Sequence, residues 1–397
     1  VAQRSWPEQA FNFAFFFFGY YAYLGAFTPY VSLYFANKGM DAAEIGILMS
    51  LMQITRIFGP TLWGWVADHS ERRVRVLRIT AFSALGAFVG LFFGNSFAQF
   101  FVVMVLLNGC TSAQAPLSEA LMLSEMHGDL THYGRLRLWG SVGFIFAVTV
   151  GGKLLDQIGV AHMPWLAWAL LGLVLIASLR LRESPHAQVH RERPSVMKLL
   201  KRREVISFFT STMMMVASHS ALYVFYSLYL AQIGYSKTVI GLMWSLGVIA
   251  EIVFFYFQAP FFRRFGAKTL MLVSLAIAVV RFAMIGACAQ SLSLLLFAQI
   301  LHAATFATHH SSSVLTMQRW FSGPLQASGQ ALYFSISYGI GGSLGGMLLS
   351  MFWHDNDGHA VFYAASAMAA IGLLAALLSF HWQNNINDTN DTQKVSA

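Results

Sequence analysis

The chain has 397 residues, of which 57% are hydrophobic and only 11% charged, with a mean hydropathy of +0.58. A soluble globular chain is about 25% charged, so these totals exclude a soluble enzyme and fit an all-α polytopic membrane protein. The formal net charge of +8 would suit a nucleic-acid partner, but the placement of the basic residues excludes that too.

About 20 apolar residues suffice to cross a bilayer. Twelve stretches qualify, at about 10–36, 43–67, 75–94, 97–124, 136–155, 162–180, 205–230, 238–262, 269–289, 291–317, 325–352 and 359–381. The first is expected to be a true span and not a cleaved leader, because Trp6 to Phe18 lacks a basic flank and a small-residue cleavage site. Of the 25 Lys and Arg, all but Lys38, Lys153, Lys237, Arg56 and Arg281 fall in termini and loops on one side. By the positive-inside rule that side is cytoplasmic, with both termini. Cys110 and Cys288 both fall within spans, so two buried thiols and no disulfide are expected.

The first span, FNFAFFFFGYYAYLGAFTPY, is crowded with rings. Such rings usually pack or face lipid; the functional reading is a stacking wall for an aromatic substrate. Asn12, Gly19 and Tyr23 share one face at helical spacing. The second span carries Arg56 at mid-depth and ends in GWVADHSERR, residues 64–73. That ending resembles the signature of the major facilitator superfamily, Gly-x-x-x-Asp-Arg/Lys-x-Gly-Arg/Lys-Arg/Lys. Gly64, Asp68, Arg72 and Arg73 match; His69 and Glu71 depart from it. The resemblance implies a cytoplasmic gate latch. Physically, the glycine would allow close helix approach, the Asp would cap or pair, and the Arg pair would anchor in the anionic leaflet.

A repeat supports the same family. A shift of 195 residues places Gly39, Ile45, Gly46, Ser50 and Leu51 on Gly234, Ile240, Gly241, Ser245 and Leu246, Arg56 on Glu251, and Gly134 on Gly329. The family implies twelve transmembrane helices in two pseudo-symmetric six-helix bundles, here 1–180 and 204–397, with the site at their interface near the midplane. Residues 181–203 are polar and basic and read as the cytoplasmic linker.

In the fourth span, Asn108, Ser112 and Glu119 lie on one helical face. Such a stripe suits a cavity lining; for Glu119 the alternative reading is a salt bridge with Arg135 or Arg137. The fifth span opens with YGRLRLWGSVGF; its Gly134, Gly140 and Gly143, with Gly151 and Gly152, suit close packing. His219 stands near mid-depth in the seventh span. Glu251 is the only charge in the eighth and Arg281 the only charge in the ninth. A carboxylate at that depth costs roughly 3 kcal/mol on insertion scales, so it is expected to have a partner and a task. Residues Glu251 and Arg281 read as mutually compensating. The tenth span carries His302, His309 and His310, with His302 and His309 two turns apart on one face. The histidines lack an i,i+4 chelating pair, so no metal is expected.

YGRLRLWGSVGF, SLGVIAEI (245–252), VVRF (279–282) and QILHAATFATHH (299–310) resemble the phenylpropionate permease group, related to the lactose and nucleoside proton symporters. In lactose permease a Glu, an Arg and a His in spans eight, nine and ten belong to the sugar and proton site. The resemblance places Glu251, Arg281 and His302 in those roles, while Thr305 and Phe306 stand where the family has a further acid.

The expected function is a secondary transporter of the bacterial inner membrane, importing a small organic solute with protons. An aromatic carboxylate such as 3-phenylpropionate is the leading substrate, bound by Arg56, Arg281, Tyr23, Asn108 and His219. Glu251, His302 and His309 are the candidates for proton coupling, and Gly64, Asp68, Arg72 and Arg73 for the gate. A sugar or nucleoside symporter or a drug exporter is the alternative. No cofactor, metal or nucleic-acid partner is expected; the proton gradient is the driving force, and the chain is expected to act as a monomer. No nucleotide-binding loop of the Gly-x-x-x-x-Gly-Lys-Ser/Thr kind is present to supply ATP drive. The topology is tested by reporter fusions: one within 185–195 should read cytoplasmic and one near Asp355 periplasmic, and the opposite pattern would overturn the span assignment.

Overall fold

The computed structural model describes residues 6–70, 72–126, 133–184, 197–321, 325–354 and 357–395. Glu71, residues 185–196 of the linker and Asp355 lie outside the described residues, as does the side chain of Asp68.

Eleven described helices are long and apolar enough to cross a membrane. They are α1 (Trp6–Asn37), α2 (Ala42–Ser70), α3 (Arg73–Phe93), α4 (Phe97–Glu125), α5 (Tyr133–Ile158), α6 (Met163–Arg180), α7 (Arg203–Gln232), a helix over Lys237–Cys288, α10 (Leu292–Trp320), α11 (Ser328–Ser350) and α12 (His359–Val395). The helix over Lys237–Cys288 has 52 residues. It would run about 78 Å at 1.5 Å per residue, against a hydrocarbon core of about 30 Å. Gly266, at φ 72° and ψ 158°, breaks it. It therefore holds two spans, α8 (237–265) and α9 (267–288), where a short loop was expected. With that division the helices match the twelve expected spans. Cys110 and Cys288 are free thiols, half-buried where burial was expected.

The chain forms two compact units: Val1–Val189 with Tyr223–Ser245, and His190–Leu222 with Leu246–Ala397. In the first unit, α1 packs along α5 and α6, and α3 packs against α4 and α6. Its ring-rich sequence is mostly core: Phe13, Phe16, Phe17 and Phe27 are fully buried. Helices α1 and α5 touch backbone to backbone. A Cβ on Gly25 would lie 2.5 Å from the Phe144 carbonyl oxygen, and one on Gly143 would meet the backbone of Phe18. A Cβ on Gly140 would meet the Tyr21 ring, whereas Gly134, expected in the same role, faces open space. In the second unit, α7 packs along α12 and α11. Ser207 donates to the Ala375 carbonyl at 2.8 Å, and Ser379 to that of Glu204 at 2.6 Å.

The sequence repeat has a local cause. Helix α1 ends with the N–H groups of Lys38, Gly39 and Met40 bonded to the carbonyls of Tyr34, Ala36 and Phe35. Helix α7 ends the same way 195 residues on, with Ile233, Gly234 and Tyr235 bonded to Tyr229, Ala231 and Leu230. Such a terminus needs a left-handed residue, and Gly39 and Gly234 supply it at φ 85° and 99°. About two turns into the next helices, Ser50 and Ser245 bond back to the carbonyls of Gly46 and Gly241 respectively. The next helix α2 starts with a reciprocal cap: Glu44 N–H donates to Asp41 Oδ1 at 2.8 Å, and Asp41 N–H to Glu44 Oε2 at 3.1 Å.

Because the obstruction at Gly143 is backbone, it cannot swing aside. The Gly143→Ala variant should lose about 1–3 kcal/mol, read as a lower unfolding temperature in detergent, while Gly134→Ala leaves that temperature unchanged.

Candidate functional site

Three of the described helices carry a π-helical turn: Ala221–Tyr226 in α7, Ala303–Ala307 in α10 and Phe334–Gly341 in α11. Such turns are rare and often mark functional positions. In α10 the consequence is direct. A regular helix aligns His302 with His309, two turns on. The wide turn inserts one residue and shifts the register by about 100°. The residue in line with His302 is therefore His310, not His309 as expected from the sequence. His302 stacks on Phe306 at 5.4 Å and 13°, and Phe306 on His310 at 6.4 Å and 9°. His310 Nδ1 lies 3.1 Å from the Tyr338 hydroxyl and 3.4 Å from that of Tyr333. Residue His309 is buried, and its Nε2 has no hydrogen-bond partner among the described residues.

Arg281 on α9 is fully buried in the second unit. An arginine cannot shed its charge, so its donors must find acceptors. Its Nε donates to the Ala298 carbonyl at 2.6 Å, its Nη1 to His302 Nδ1 and Thr305 Oγ1, both at 3.0 Å, and its Nη2 to Gln299 Oε1 at 3.2 Å. All four acceptors lie within two turns of α10. The other ring nitrogen of His302 reaches α8: Nε2 lies 2.6 Å from Glu251 Oε1. The compensation expected between Glu251 and Arg281 thus runs through the imidazole of His302. Gly247, one turn before Glu251, permits the approach, since a Cβ there would sit 3.3 Å from His302 Cδ2. His219 on α7 closes the group. Its Nδ1 lies 2.8 Å from the Met215 carbonyl and its Nε2 3.4 Å from Thr305 Oγ1.

The other expected residues belong to the first unit. Arg56 is exposed and donates to Gln53 on its own helix at 3.1 Å. Asn108 is buried and donates to the Met104 carbonyl, again on its own helix. Tyr23 is buried against Phe27 and Phe88. The open question over Glu119 is decided for Arg137: Nε donates to Glu119 Oε1 at 2.9 Å. The same guanidinium donates to the Tyr21 hydroxyl and stands 4.3 Å over that ring. At the gate signature, no described residue comes within 4 Å of a Cβ placed on Gly64, so the close helix approach expected there is not seen among the described residues. Arg72 and Arg73 stand at the start of α3.

A family model described as the MFS_1 like family matches residues 10–365. The chain belongs to this family. Curated relatives agree in kind. The chain is 29% identical over 378 residues to a protein of Escherichia coli (strain K12) named probable 3-phenylpropionic acid transporter, covering 91% of this chain and 95% of that one. It is 28% identical over 374 residues to the maltose permease of Geobacillus stearothermophilus, covering 92% and 93%. A crystal structure of the nucleoside transporter NupG matches with a TM-score of 0.84 at 21% identity, over 94% of this chain and all of that one; at that identity the likeness is of fold. The protein is thus a major facilitator transporter and not an enzyme.

Sequence reasoning found the charged members of the transporter's network but gave no role to Gln299, Thr305 or the Tyr333–Tyr338–His310 cluster. Gln299, His302 and Thr305 recur at spacings of three, a helical stripe that could have signalled a shared face. Nothing in the sequence announces the π turn that moves His310 into line. Removing Arg281 would strand acceptors built around it. The Arg281→Ala variant should lose about 3–5 kcal/mol, measured as unfolding in detergent, while Arg56→Ala should leave stability unchanged.

Proposed function

We propose that this transporter is a proton-coupled symporter that imports a small organic solute, an aromatic carboxylate of the 3-phenylpropionate kind, across the bacterial inner membrane by alternating access. The observation that carries the reading is Glu251, a carboxylate held 2.6 Å from His302 inside a membrane-spanning helix. An ionised carboxylate in a dry site is costly, and its neutral acid is not. Protonation of Glu251, aided by His302 or His309, would permit the loaded protein to reorient; ionisation would oppose it.

The substrate class rests on the Escherichia coli relative named for 3-phenylpropionic acid and on cations beside rings in the first unit. A guanidinium suits a carboxylate bidentately. Arg281 gives its donors to Ala298, His302, Thr305 and Gln299, so in this proposal it sets the field around Glu251. Carboxylate recognition then falls to the exposed Arg56 and to Arg137, whose guanidinium lies over Tyr21. Tyr23, Asn108 and His219 are buried and contribute through packing. Asp68, with Arg72 and Arg73, forms a cytoplasmic latch; both termini are cytoplasmic, the halves 1–180 and 204–397 move as bodies joined by 181–203, and the protein works as a monomer without a cofactor. The second reading is a sugar or nucleoside symporter, favoured by the likeness to maltose permease.

Uptake into proteoliposomes of labelled 3-phenylpropionate, maltose and uridine under an imposed pH gradient separates the readings. Accumulation of maltose or uridine without 3-phenylpropionate would give the second reading. Glu251→Gln keeps the shape of the protonated acid, so it should exchange substrate at equal concentrations but fail to accumulate it. Accumulation equal to the parent's would remove Glu251 from coupling.

A further inference from the structure

The direction of each hydrogen bond around His302 follows from the chemistry of its partners. Arg281 has donors and no acceptor. Its Nη1 lies 3.0 Å from His302 Nδ1, so Nδ1 accepts and carries no proton. A neutral imidazole then holds its one proton on Nε2, which is the nitrogen 2.6 Å from Glu251 Oε1. A second proton could go only to Nδ1. There it would face a guanidinium N–H, replacing a hydrogen bond with a contact between two donors of like charge, at a fully buried Arg281.

The groups around the pair are fixed in the same sense. A carbonyl only accepts, so His219 Nδ1–H donates to Met215, which leaves its Nε2 an acceptor facing the Thr305 hydroxyl at 3.4 Å; that hydroxyl also lies 3.3 Å from the His302 carbonyl. The Thr305 oxygen accepts from Arg281 in turn. Gln299 presents its carbonyl oxygen to Arg281. His310, the other imidazole in line on α10, is separated from His302 by the Phe306 ring and turns Nδ1 to Tyr338 and Tyr333. Of the bonded pair, Glu251 is the member left with uncommitted capacity. Oε1 accepts from His302, while Oε2 is not engaged by it, and the Glu251 side chain is 18% exposed against 10% for His302.

We propose that His302 is a positioning residue, locked by Arg281 as the Nε2–H tautomer, and that Glu251, not His302, takes up and releases the coupling proton. One proton adds to the Glu251 carboxylate at Oε2 to give the neutral acid, and release restores the carboxylate. His302 keeps a single proton throughout; its N–H holds the carboxylate in place. The proposal rests on the proton-coupled reading above, and its test has an arm that does not.

Glutamine at position 302 has the right pattern to replace a locked imidazole: its carbonyl oxygen can accept from Arg281 and its amide N–H can donate to Glu251, but it cannot titrate. In proteoliposomes with labelled 3-phenylpropionate, His302→Gln should therefore accumulate the probe under a pH gradient to within about twofold of the parent. His302→Ala, lacking both bonds, should fall about tenfold or more. A His302→Gln protein that exchanges the probe but does not accumulate it would make His302 the carrier and overturn the proposal. The independent arm is nitrogen-15 NMR of the histidine-labelled full-length protein, with His302 assigned by its loss in His302→Gln or, should that variant not fold, by the shift that Glu251→Gln imposes on its Nε2. His302 should show a protonated Nε2 and a bare Nδ1 across roughly pH 5–8, the range in which a free imidazole titrates. Protonation of Nδ1 within that range would also overturn the proposal. A parent that carries no 3-phenylpropionate under a pH gradient would count against the reading of function, and the NMR result would then decide the tautomer alone.

Discussion

A guanidinium that cannot lose its charge, fully buried in a membrane-spanning unit, is the constraint on which the second unit depends. Arg281 needs acceptors that are themselves anchored, and α10 supplies four of them along two turns: a backbone carbonyl, an amide oxygen, a ring nitrogen and a hydroxyl. Once His302 has given Nδ1 to this task, its remaining N–H must point elsewhere, and Glu251 on α8 receives it. The acid is thereby placed by a chain of commitments that begins one helix away. Any change in the charge of Glu251 is felt by an imidazole whose orientation Arg281 has fixed.

The two halves of the repeat show how one architecture carries different chemistry. The helix ends at Gly39 and Gly234 share a hydrogen-bond pattern, and the serines at 50 and 245 bond back in the same way. At the next equivalent pair the likeness stops. Arg56 is exposed and bonded within its own helix, whereas Glu251 is half-buried and tied to α10. The backbone features recur because a left-handed terminus accepts few residues. The charged positions, free of that restriction, differ in sign and in surroundings.

The first unit has its own polar centre, in which Arg137 joins Glu119 of α4 to Tyr21 of α1. It is built on the densest backbone contact of that unit, where Gly25 and Gly143 let α1 and α5 touch. Arg137 is one turn from Gly140, itself against the Tyr21 ring, so the same small residues that pack the helices also set the distance between cation and ring.

The sequence by itself determined the membrane class, the number of crossings and the family. These depend on the length and polarity of each stretch and on a local glycine terminus, all of which are written in consecutive residues. It also named the costly mid-span residues Glu251, Arg281, His219 and His302, because a charge or an imidazole among apolar neighbours is visible without any coordinates. Only the tertiary structure decided which of these groups touch. The bond from Arg281 to His302, the preference of Arg137 over Arg135 as the partner of Glu119, and the open space around Gly64 each depend on how separate helices meet. The exchange of His309 for His310 in line with His302 has a further cause. A π turn changes the helical period from within, and a periodicity read at 3.6 residues per turn carries no sign of the inserted residue.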